Sequence, residues 1–363
     1  MIEVREIFES ERAYWDKEIK RFELVHPLNA YDWGLVRSID NWSPVYLVAE
    51  CDGKFSGGMM ILKKKLPLTP FSIFYSPKGP VWDYKDTETV KQLLAKTKEI
   101  AKKEGAIFLR VDPNLTESVI ENNGDILSEL GFLHLDQRWT FWNSPRDVYR
   151  IDLTKVNTCE ELFNMLDRDT RRCIRKAAKE GVSIETATTE EDIKTFYSIF
   201  KEFSIGKGFM SRGYEYQRTL WDTYIVNNMG RLFLAKYKGE IIGGLICIMF
   251  GRKCLAMHMG TPYKYQKLQT YYAYVWESIR WAKKNNCLWY SFRGVGTTPT
   301  QEYFKGKFLP EVVNLVGYYD LPLRPFLYRL FYFCEFSVLP AAWPIIIKLR
   351  KVYNKIIKLM RRS

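Results

Sequence analysis

Lys305 has a setting that suits the stabilisation of an anion. It lies in the segment YFKGKF, shortly after a glycine-rich stretch from Gly294 to Gly296. A cation on a loop beyond a strand could face the negative charge that develops on an oxygen during a reaction. Because lysines are mostly solvated, a surface position between the core aromatics Phe304 and Phe308 is the alternative interpretation.

Asp112 occupies a second position of chemical interest, at the C-terminal end of a predicted strand. It follows the apolar segment FLRV and precedes Pro113. Ligand sites of open α/β sheets gather at such strand ends, where a carboxylate could orient or deprotonate an attacking ammonium. An Asp-Pro pair also caps turns routinely, so the two interpretations stay open.

Other kinds of catalytic centre find little support in the composition. Of the 363 residues only three are histidines, and these lie far apart, at His26, His134 and His258. A zinc site and a histidine-dependent triad are therefore disfavoured, and no metal is expected. Seven cysteines without a C-x-x-C spacing predict reduced thiols in a cytosolic protein.

Length and composition favour two folded domains, since 47% of the residues are hydrophobic and 15% are aromatic. The N-terminal segment MIEVREIFESERAYWD is charged throughout, so no signal peptide is expected. The sequence also lacks a run of about 20 uncharged apolar residues of the kind that spans a bilayer.

Charge is concentrated at the C-terminal end of the chain. Of the net charge of +13, +8 falls after position 323, from nine basic residues against Glu335. On a helical wheel, Ile345 to Arg362 separates an apolar face from a basic one, which is typical of a helix in an anionic membrane interface. The preceding segment, Phe326 to Pro344, is apolar but interrupted by Arg329, Glu335 and prolines, so we expect it to be interfacial. Packing of both segments on the body of the protein is the alternative.

The elements that must position Lys305 and Asp112 show an internal repeat. VAECDGKFSGGMMI, from Val48, and LAKYKGEIIGGLIC, from Leu234, lie 186 residues apart and both read as a strand, a glycine turn and a strand. KQLLAKTKEIAKKEGAIFLRVDP, from Lys91, and YVWESIRWAKKNNCLWYSFRGVG, from Tyr274, both read as an amphipathic helix and a buried strand. Two matches in the same order predict an internal duplication. Two unrelated α/β domains with common hairpins are the alternative.

The repeated unit builds a mixed α/β sheet with helices on its faces. Its element order is that of the acetyltransferase-like (GNAT) domain. We therefore predict an α/β (α+β) fold of two tandem GNAT-like domains, residues 1–147 and 148–316. Residues 317–325 are expected to return to the first domain, and residues 326–363 are expected to form a membrane-surface tail.

Several segments along the chain resemble one family. HPLNAYDWGLVRS, FSIFYSPKGPV and FLRVDP resemble the first domain of the FemABX aminoacyltransferases, and DRDTRRCIRKAAKEGV, GFMSRGYEY and YFKGKF resemble the second. The resemblance implies transfer of an amino acid from aminoacyl-tRNA to an amine of a peptidoglycan precursor, either lipid II or a nucleotide-sugar peptide. It also implies aminoacyl-tRNA as a co-substrate, with no further cofactor.

The same resemblance implies roles for particular side chains. The matching lysine of the family is assigned to the oxyanion, which favours that role for Lys305. Basic residues at the positions of Arg37 and Arg212 contact the nucleotide-sugar diphosphate, and Tyr216 is expected to share a helical face with Arg212. Without the resemblance, pairing of Arg37 with Asp32 or with the helix dipole is the simpler interpretation.

A basic helix is expected to contact the tRNA backbone. It is predicted from about Cys159 to Glu180, ends at Gly181, and carries a stripe of cations spaced three and four apart: Arg168, Arg171, Arg172, Arg175 and Lys179. Such a stripe binds phosphates without reading bases, although a solvated helix face explains it equally well. No long heptad hairpin follows, so the helical arm that some family members carry is expected to be absent.

Coenzyme A chemistry is the main alternative within the same fold. Acetyl-CoA-dependent GNAT enzymes carry a glycine-rich turn that binds pyrophosphate at a helix N-terminus, whereas the matching region here reads TPYKYQKLQTYYAY. Two alternatives stay open: an acyl-CoA-dependent N-acyltransferase acting on an envelope lipid or sugar, and a non-catalytic membrane-bound binding module. We expect a monomer at the cytoplasmic face of the plasma membrane, with an anionic membrane surface as a partner.

Overall fold

The computed structural model describes residues 1–135, 145–209, 211–296 and 298–342, and within these ranges the chain forms two β-sheets. The first sheet contains the strands that precede position 136 and one late strand. The second contains the strands between positions 147 and 314.

The first half of the chain alternates strands with short and long helices. Its elements, in chain order, are β1 (Ile2–Ile7), α1 (Arg12–Ile19), α2 (Tyr31–Ser38), β2 (Ser43–Cys51), β3 (Lys54–Lys65), β4 (Ser72–Ser76), β5 (Val81–Trp82), α3 (Thr87–Lys103), β6 (Ala106–Val111), α4 (Glu117–Asn123), α5 (Ile126–Glu129) and β7 (Leu133–Leu135).

The second half repeats the hairpin and the crossover helix and then returns to the first sheet. Its elements are β8 (Asp147–Asp152), α6 (Cys159–Met165), α7 (Arg168–Lys179), β9 (Val182–Thr186), α8 (Glu190–Lys207), α9 (Tyr214–Leu220), β10 (Gly230–Tyr237), β11 (Glu240–Phe250), β12 (Lys253–Gly260), α10 (Thr270–Lys284), β13 (Trp289–Gly294), α11 (Pro299–Gly306), β14 (Glu311–Asn314), β15 (Tyr318–Pro322) and α12 (Pro325–Phe333).

Strand order shows the same central arrangement twice. The first sheet runs β1-β2-β3-β4-β6-β15-β7, with β5 beside β3, and the second runs β14-β8-β13-β12-β11-β10-β9. Strands β4 and β6 are parallel, and so are β12 and β13. Helices α3 and α10 make these crossovers, because parallel neighbours need a long connection. The predicted mixed sheets with helices on their faces are confirmed.

The two glycine hairpins match in register as well as in sequence. Val48 and Ala49 lie opposite Gly58 and Gly57, and a bulge follows directly after Ala49. In the second half the same positions, 186 residues later, pair Leu234 and Ala235 with Gly244 and Gly243, again with a bulge directly after the alanine.

Both hairpin turns also use the same backbone geometry. Asp52 and Gly53 have φ angles of 48° and 74°, and Lys238 and Gly239 have φ angles of 51° and 83°. Positive φ at two successive residues is the geometry of a type I′ turn, which suits the twist of a two-residue hairpin. A shared register, bulge and turn are what an internal duplication predicts.

The C-terminal segment docks on the first half through a buried group of charges. Arg110 on β6 lies opposite Asp320 on β15, and its Nε and Nη2 donate to the two carboxylate oxygens at 2.7 Å. Its Nη1 donates at 2.7 Å to Glu335, which lies in a π-helical turn after α12. Phe331 of α12 packs 4.9 Å from Phe108 of β6, measured between ring centroids.

This docking corrects the expectation that residues 326–363 form a membrane-surface tail beyond the body of the protein, as far as those residues are described. Residues 325–338 are held by the Arg110 group, and the charge of Glu335 belongs to that group rather than to a membrane interface. The predicted amphipathic helix from Ile345 to Arg362 lies outside the described residues. Within those residues, no helix has both the length and the apolar character needed to cross a bilayer.

The predicted helix from Cys159 to Glu180 is in fact two helices. Helix α6 ends at Met165, and α7 begins at Arg168 because the side chain of Asp167 accepts a hydrogen bond from the backbone of Thr170, an N-cap contact that starts a new helix. The predicted stop at Gly181 is confirmed, since Gly181 has a φ of +88°.

A segment of the first half joins the two halves. Residues 23–27 accept hydrogen bonds from the second half, with Lys253 donating to the carbonyl of Val25 at 2.8 Å and Tyr224 donating to the carbonyl of Pro27 at 3.1 Å. The His26 ring lies 5.9 Å from the Trp289 ring of β13. The start of β13 is thereby brought against the loop that precedes α2.

Candidate functional site

Arg37 and Arg212 come from different halves of the chain and meet at one carboxylate. Arg37 lies in the last turn of α2, and its guanidinium is 3.3 Å from Oδ2 of Asp40. Arg212 precedes α9 and donates to the same oxygen. The two arginines predicted to bind phosphate are therefore neighbours, and Arg37 pairs with Asp40 rather than with Asp32, which bonds Arg12.

Tyr216 adds a buried ring beside this pair. The Arg212 guanidinium lies 4.7 Å from the centroid of the Tyr216 ring, a cation–π contact. The expected shared helical face is wrong in detail, because α9 begins at Tyr214 and Arg212 lies in the loop before it. The two side chains meet through the fold of that loop.

His258 is a neutral neighbour of the same ring. Its ring lies 5.9 Å from that of Tyr216, and its Nδ1 donates to Oε1 of Gln217 at 3.1 Å. Burial, and then the charges of Arg293 and Arg212, lower the pKa of His258 to about 3. The imidazole is therefore uncharged at physiological pH, and it adds no positive charge to the cations beside it.

Lys305 lies in the last turn of α11 and is held at the end of β13. Its Nζ donates to the carbonyls of Gly294 at 2.5 Å and Phe292 at 3.3 Å. Burial, and then the charge of Arg293, lower its pKa to about 8. An ammonium has three N–H groups, so one remains after these two carbonyls are bonded.

Arg293 lies between the two residues whose carbonyls bind Lys305. Nothing in its local sequence marks it as a site residue. Burial is the largest cause that lowers the pKa of several groups around Arg293: Lys305, Arg212, His258, Lys78 and His26. The charge of Arg293 lowers these pKa values further, in some cases less than other nearby cations do. Arg293 therefore belongs to the electrostatic environment of both the arginine pair and Lys305.

Asp112 is buried in a small network at the end of β6. Its Oδ1 accepts hydrogen bonds from the Tyr75 hydroxyl at 3.0 Å and from the backbone N–H of Lys78 at 2.8 Å. Its Oδ2 lies 2.9 Å from the Lys78 ammonium. The predicted position after a strand is confirmed, and its contacts are with the β4 side of the sheet rather than within its own turn. Its role in proton transfer stays a prediction.

Two further cations extend this region along the boundary between the halves. Arg150 on β8 donates to Oδ1 of Asn114 at 2.5 Å, and its guanidinium lies 4.6 Å from the Trp289 ring. Burial lowers the pKa of Arg150 to about 10. Burial, and then the charge of Arg150, lower the pKa of Lys253 to about 8.

We call these groups the interdomain cluster: Arg37, Lys78, Arg150, Arg212, Arg293 and Lys305. Most of these cations are partly or fully buried, and among the described residues Asp40 pairs with Arg37 and Arg212 and Asp112 pairs with Lys78. Crowded cations of this kind attract phosphate and carboxylate groups and stabilise an oxyanion.

The predicted tRNA-binding stripe lies on α7. Its inner side packs on α10 with Thr170 and Ala177 buried, while Arg172, Arg175 and Lys179 are exposed and Arg171 is half-buried. Arg172 pairs with Asp169 at 3.1 Å, and Arg175 lies 5.2 Å from the Phe163 ring. The exposed side is strongly basic, and its binding of RNA stays a prediction.

A protein-family model settles the relationship of the chain. The model of the FemAB family matches residues 16–240 and 231–335. This chain belongs to the FemAB family. The resemblance inferred from the segments around His26, Asp167 and Lys305 is thereby confirmed.

The similar proteins include lipid II:glycine glycyltransferases. The chain is 27% identical over 229 residues to the enzyme of Staphylococcus haemolyticus (strain JCSC1435). The matched region covers 61% of this chain and 54% of that protein. It is also 27% identical over 229 residues to the enzyme of Staphylococcus aureus. The chain spans about half the length of these curated relatives in the matched region.

Solved structures agree on the fold. The crystal structure of FemX superposes with a TM-score of 0.81 at 20% identity, covering 90% of this chain and 99% of that one. A tandem GNAT protein from the clavulanic acid biosynthesis pathway superposes with a TM-score of 0.55 at 10% identity, covering 89% of this chain and 99% of that one. The predicted pair of GNAT-like domains is confirmed.

Proposed function

We propose that this FemAB-family chain transfers an amino acid from aminoacyl-tRNA to an amine of a peptidoglycan-precursor stem peptide. The observation that carries the proposal is the interdomain cluster, in which arginines of both halves and Lys305 are gathered at the boundary between the halves. The family membership and the relatives named lipid II:glycine glycyltransferase support it.

In this proposal Arg37 and Arg212 bind the diphosphate that links the precursor's sugar to a nucleotide or a lipid, with Tyr216 beside them. Each guanidinium offers a planar fork of donors that matches phosphate oxygens. A diphosphate diester carries two negative charges, which would compete with Asp40 for the two arginines.

The chemical step needs positioning and electrostatic stabilisation more than a covalent intermediate, because an aminoacyl ester is already activated. The acceptor amine attacks the ester carbonyl carbon, and the carbonyl oxygen becomes an oxyanion. The remaining N–H of Lys305 stabilises that charge. The bond to the ribose oxygen of the tRNA then breaks, and the proton lost by the amine ends on that oxygen.

Asp112 orients the acceptor ammonium or takes its proton in this scheme. Tyr75 and Lys78 hold the carboxylate at the end of β6, so it can act only from a fixed position. No metal or cofactor is required, since the ester supplies the driving force and the chain supplies cations.

The donor tRNA lies along the exposed basic side of α7 in this proposal. Arg171, Arg172, Arg175 and Lys179 contact phosphates without reading bases, so the affinity falls steeply with salt. We expect the salt slope of tRNA binding to decrease when Arg172 and Arg175 are replaced by glutamine.

We further propose that the protein, a monomer, binds the cytoplasmic face of the plasma membrane through its C-terminal segment. The outward face of α12 leaves Phe326, Leu330 and Phe333 exposed, at 79%, 55% and 57%. Exposed large apolar side chains grouped on one surface helix are typical of an interaction site. The basic residues that follow in the sequence favour anionic lipid.

Co-sedimentation with vesicles tests this membrane proposal. The full chain should bind vesicles of anionic phospholipid and not of neutral phospholipid, and Leu330→Glu with Phe333→Glu should weaken binding. Leu68→Glu, at an exposed leucine of the first half, is the matched control. Equal binding by all three proteins would exclude α12 from the interface.

A transfer assay tests the activity itself. The protein is incubated with charged tRNAs and with nucleotide-linked or lipid-linked stem peptides, and the products are identified by mass. An increase by one amino-acid residue supports the proposal. Acetylation of the same acceptors in a parallel reaction with acetyl-CoA, without aminoacyl transfer, would refute it.

A further inference from the structure

Arg293 adopts a backbone conformation that an arginine rarely takes. Its φ is +64°, in the left-handed region. Glycine takes this conformation without strain, but the glycine of this segment is the next residue, Gly294. Such conformations cost free energy, persist only where the surroundings impose them, and cluster at functional sites. The strained backbone therefore indicates that the arginine side chain has a role at this position.

Contacts on three sides impose the conformation. The backbone N–H of Arg293 donates to Oγ of Ser291 at 3.1 Å. Ser291 in turn donates to the carbonyl of Tyr149 on β8 at 3.2 Å. The ammonium of Lys305 bonds the carbonyls of Phe292 and Gly294, immediately before and after Arg293. Lys305 thus hydrogen-bonds the backbone on both sides of Arg293.

A second strained cation faces the same region from the first half. Lys78 follows β4, has a φ of +53°, and is paired with Asp112. The charge of Arg293 contributes to lowering the pKa of Lys78, after burial. The interdomain cluster thus includes two cations with costly backbone conformations, one from each half.

We propose that Arg293 contacts the substrate through a phosphate group, and that Lys305 positions it by bonding the two carbonyls that flank it. This inference rests on the proposed function and adds a phosphate contact between the Arg37–Arg212 pair and Lys305. The planar fork of a guanidinium matches phosphate oxygens better than an ammonium does. Lys305 keeps one N–H for the reacting oxygen, so the two roles are compatible.

Both proposed substrates carry phosphate groups. The donor carries a phosphodiester beside its 3′-terminal nucleoside, and the acceptor carries a diphosphate. Binding by isothermal titration separates them with two probes, a 5′-phosphorylated CCA trinucleotide for the donor and a nucleoside-diphosphate sugar for the acceptor.

Arg293→Asn is the decisive variant, because asparagine tolerates left-handed φ and so removes the guanidinium without adding backbone strain. We expect it to weaken one probe by about 10- to 100-fold, the effect of losing hydrogen bonds between charged groups. Arg293→Lys should recover part of that loss. Loss for the trinucleotide assigns the donor phosphate, and loss for the diphosphate sugar assigns that of the acceptor.

Arg252→Asn is the matched control. Arg252 also has a positive φ, of 59°, but it is exposed in the β11–β12 turn, where its Nε donates to the carbonyl of Asn286. It should bind both probes like the unaltered protein. Unchanged binding of both probes by Arg293→Asn, together with unchanged kcat, would overturn the inference.

The positioning role of Lys305 has its own test. Lys305→Ala should weaken the same probe as Arg293→Asn, and the double variant should bind that probe no more weakly than Arg293→Asn alone. Fully additive losses would show that the two residues act independently and would overturn this part. If the unaltered protein transfers no amino acid yet binds a probe through Arg293, the proposed function fails and the phosphate contact stands.

Discussion

Two groups of positive charge in the molecule are built in opposite ways. Arg110 is fully buried, and two carboxylates, Asp320 and Glu335, surround its guanidinium at 2.7 Å. Burial alone would lower the pKa of Arg110, but these carboxylates outweigh it and raise the pKa. The hydroxyl of Tyr328 completes the group by donating to Asp320 at 3.1 Å.

The interdomain cluster shows the reverse pattern. Burial, together with neighbouring cations for most of its members, lowers the pKa of Lys305 to about 8 and also lowers those of Arg212, Lys78 and Arg150. Crowding of partly buried cations costs stability, and strongly perturbed pKa values cluster at functional sites. The Arg110 group therefore stabilises the fold, whereas we propose that the interdomain cluster binds a substrate anion.

The largest effect is expected from breaking the matched group. Asp320→Ala leaves Arg110 buried with one partner fewer, which should lower the free energy of unfolding by about 3–5 kcal/mol. Urea denaturation measures this loss. Glu99→Ala, at an exposed ion pair on α3, should leave the midpoint nearly unchanged. A loss as small as that of the control would remove the structural half of the comparison.

Lys305→Ala should do the opposite, with a large loss of rate and little loss of stability. Removing one donor to an oxyanion typically costs about 10²–10³ in kcat. Lys307→Ala is the control two residues away, since Lys307 pairs with Asp167 outside the interdomain cluster. Single-turnover rates and a denaturation curve test both variants. A loss of stability that accounts for the loss of rate would contradict a functional role.

The pH dependence of kcat tests whether the Lys305 ammonium in the interdomain cluster takes part in the reaction. The pKa of Lys305 is lowered to about 8 by burial and then by Arg293, so the cation is present below pH 8 and is lost as the pH rises through that value. We expect kcat to decline above pH 8 as the ammonium loses its proton. Arg293→Asn removes one cause of the lowering and should move the decline to higher pH. A decline that stays in place would show that another group titrates.

The smallest effect is expected at Asp40, the carboxylate that Arg37 and Arg212 share. Asp40→Asn removes an internal competitor for the substrate's phosphates and should strengthen binding of a nucleoside-diphosphate sugar by about two- to fivefold. Asp222→Asn, at an exposed carboxylate beside Arg218, is the control. Weaker binding by Asp40→Asn would mean that the carboxylate orients the arginines rather than competing for them.

Local sequence signals identified the repeated architecture correctly. The glycine turns at Asp52-Gly53 and Lys238-Gly239, and the helix–strand units after Lys91 and Tyr274, carry their own geometry in short segments. The break between α6 and α7 was also signalled locally, by the capping residue Asp167, but helical periodicity on both sides concealed it. Arg293 carried no such signal, because its strained backbone follows from contacts with Lys305 and Ser291.

The two GNAT-like units could be predicted from the sequence, because turns, helix faces and strand alternation are properties of neighbouring residues, and the family followed from the segments that resemble it. Only the tertiary structure decided which charges are matched. Arg110 contacts Asp320 and Glu335 from 210 and 225 residues away, and Asp40, which pairs with Arg37, also bonds Arg212 from 172 residues away. Burial sets the strength of each of these pairs, and no local pattern in the chain records how deeply a charge is buried or what it meets there.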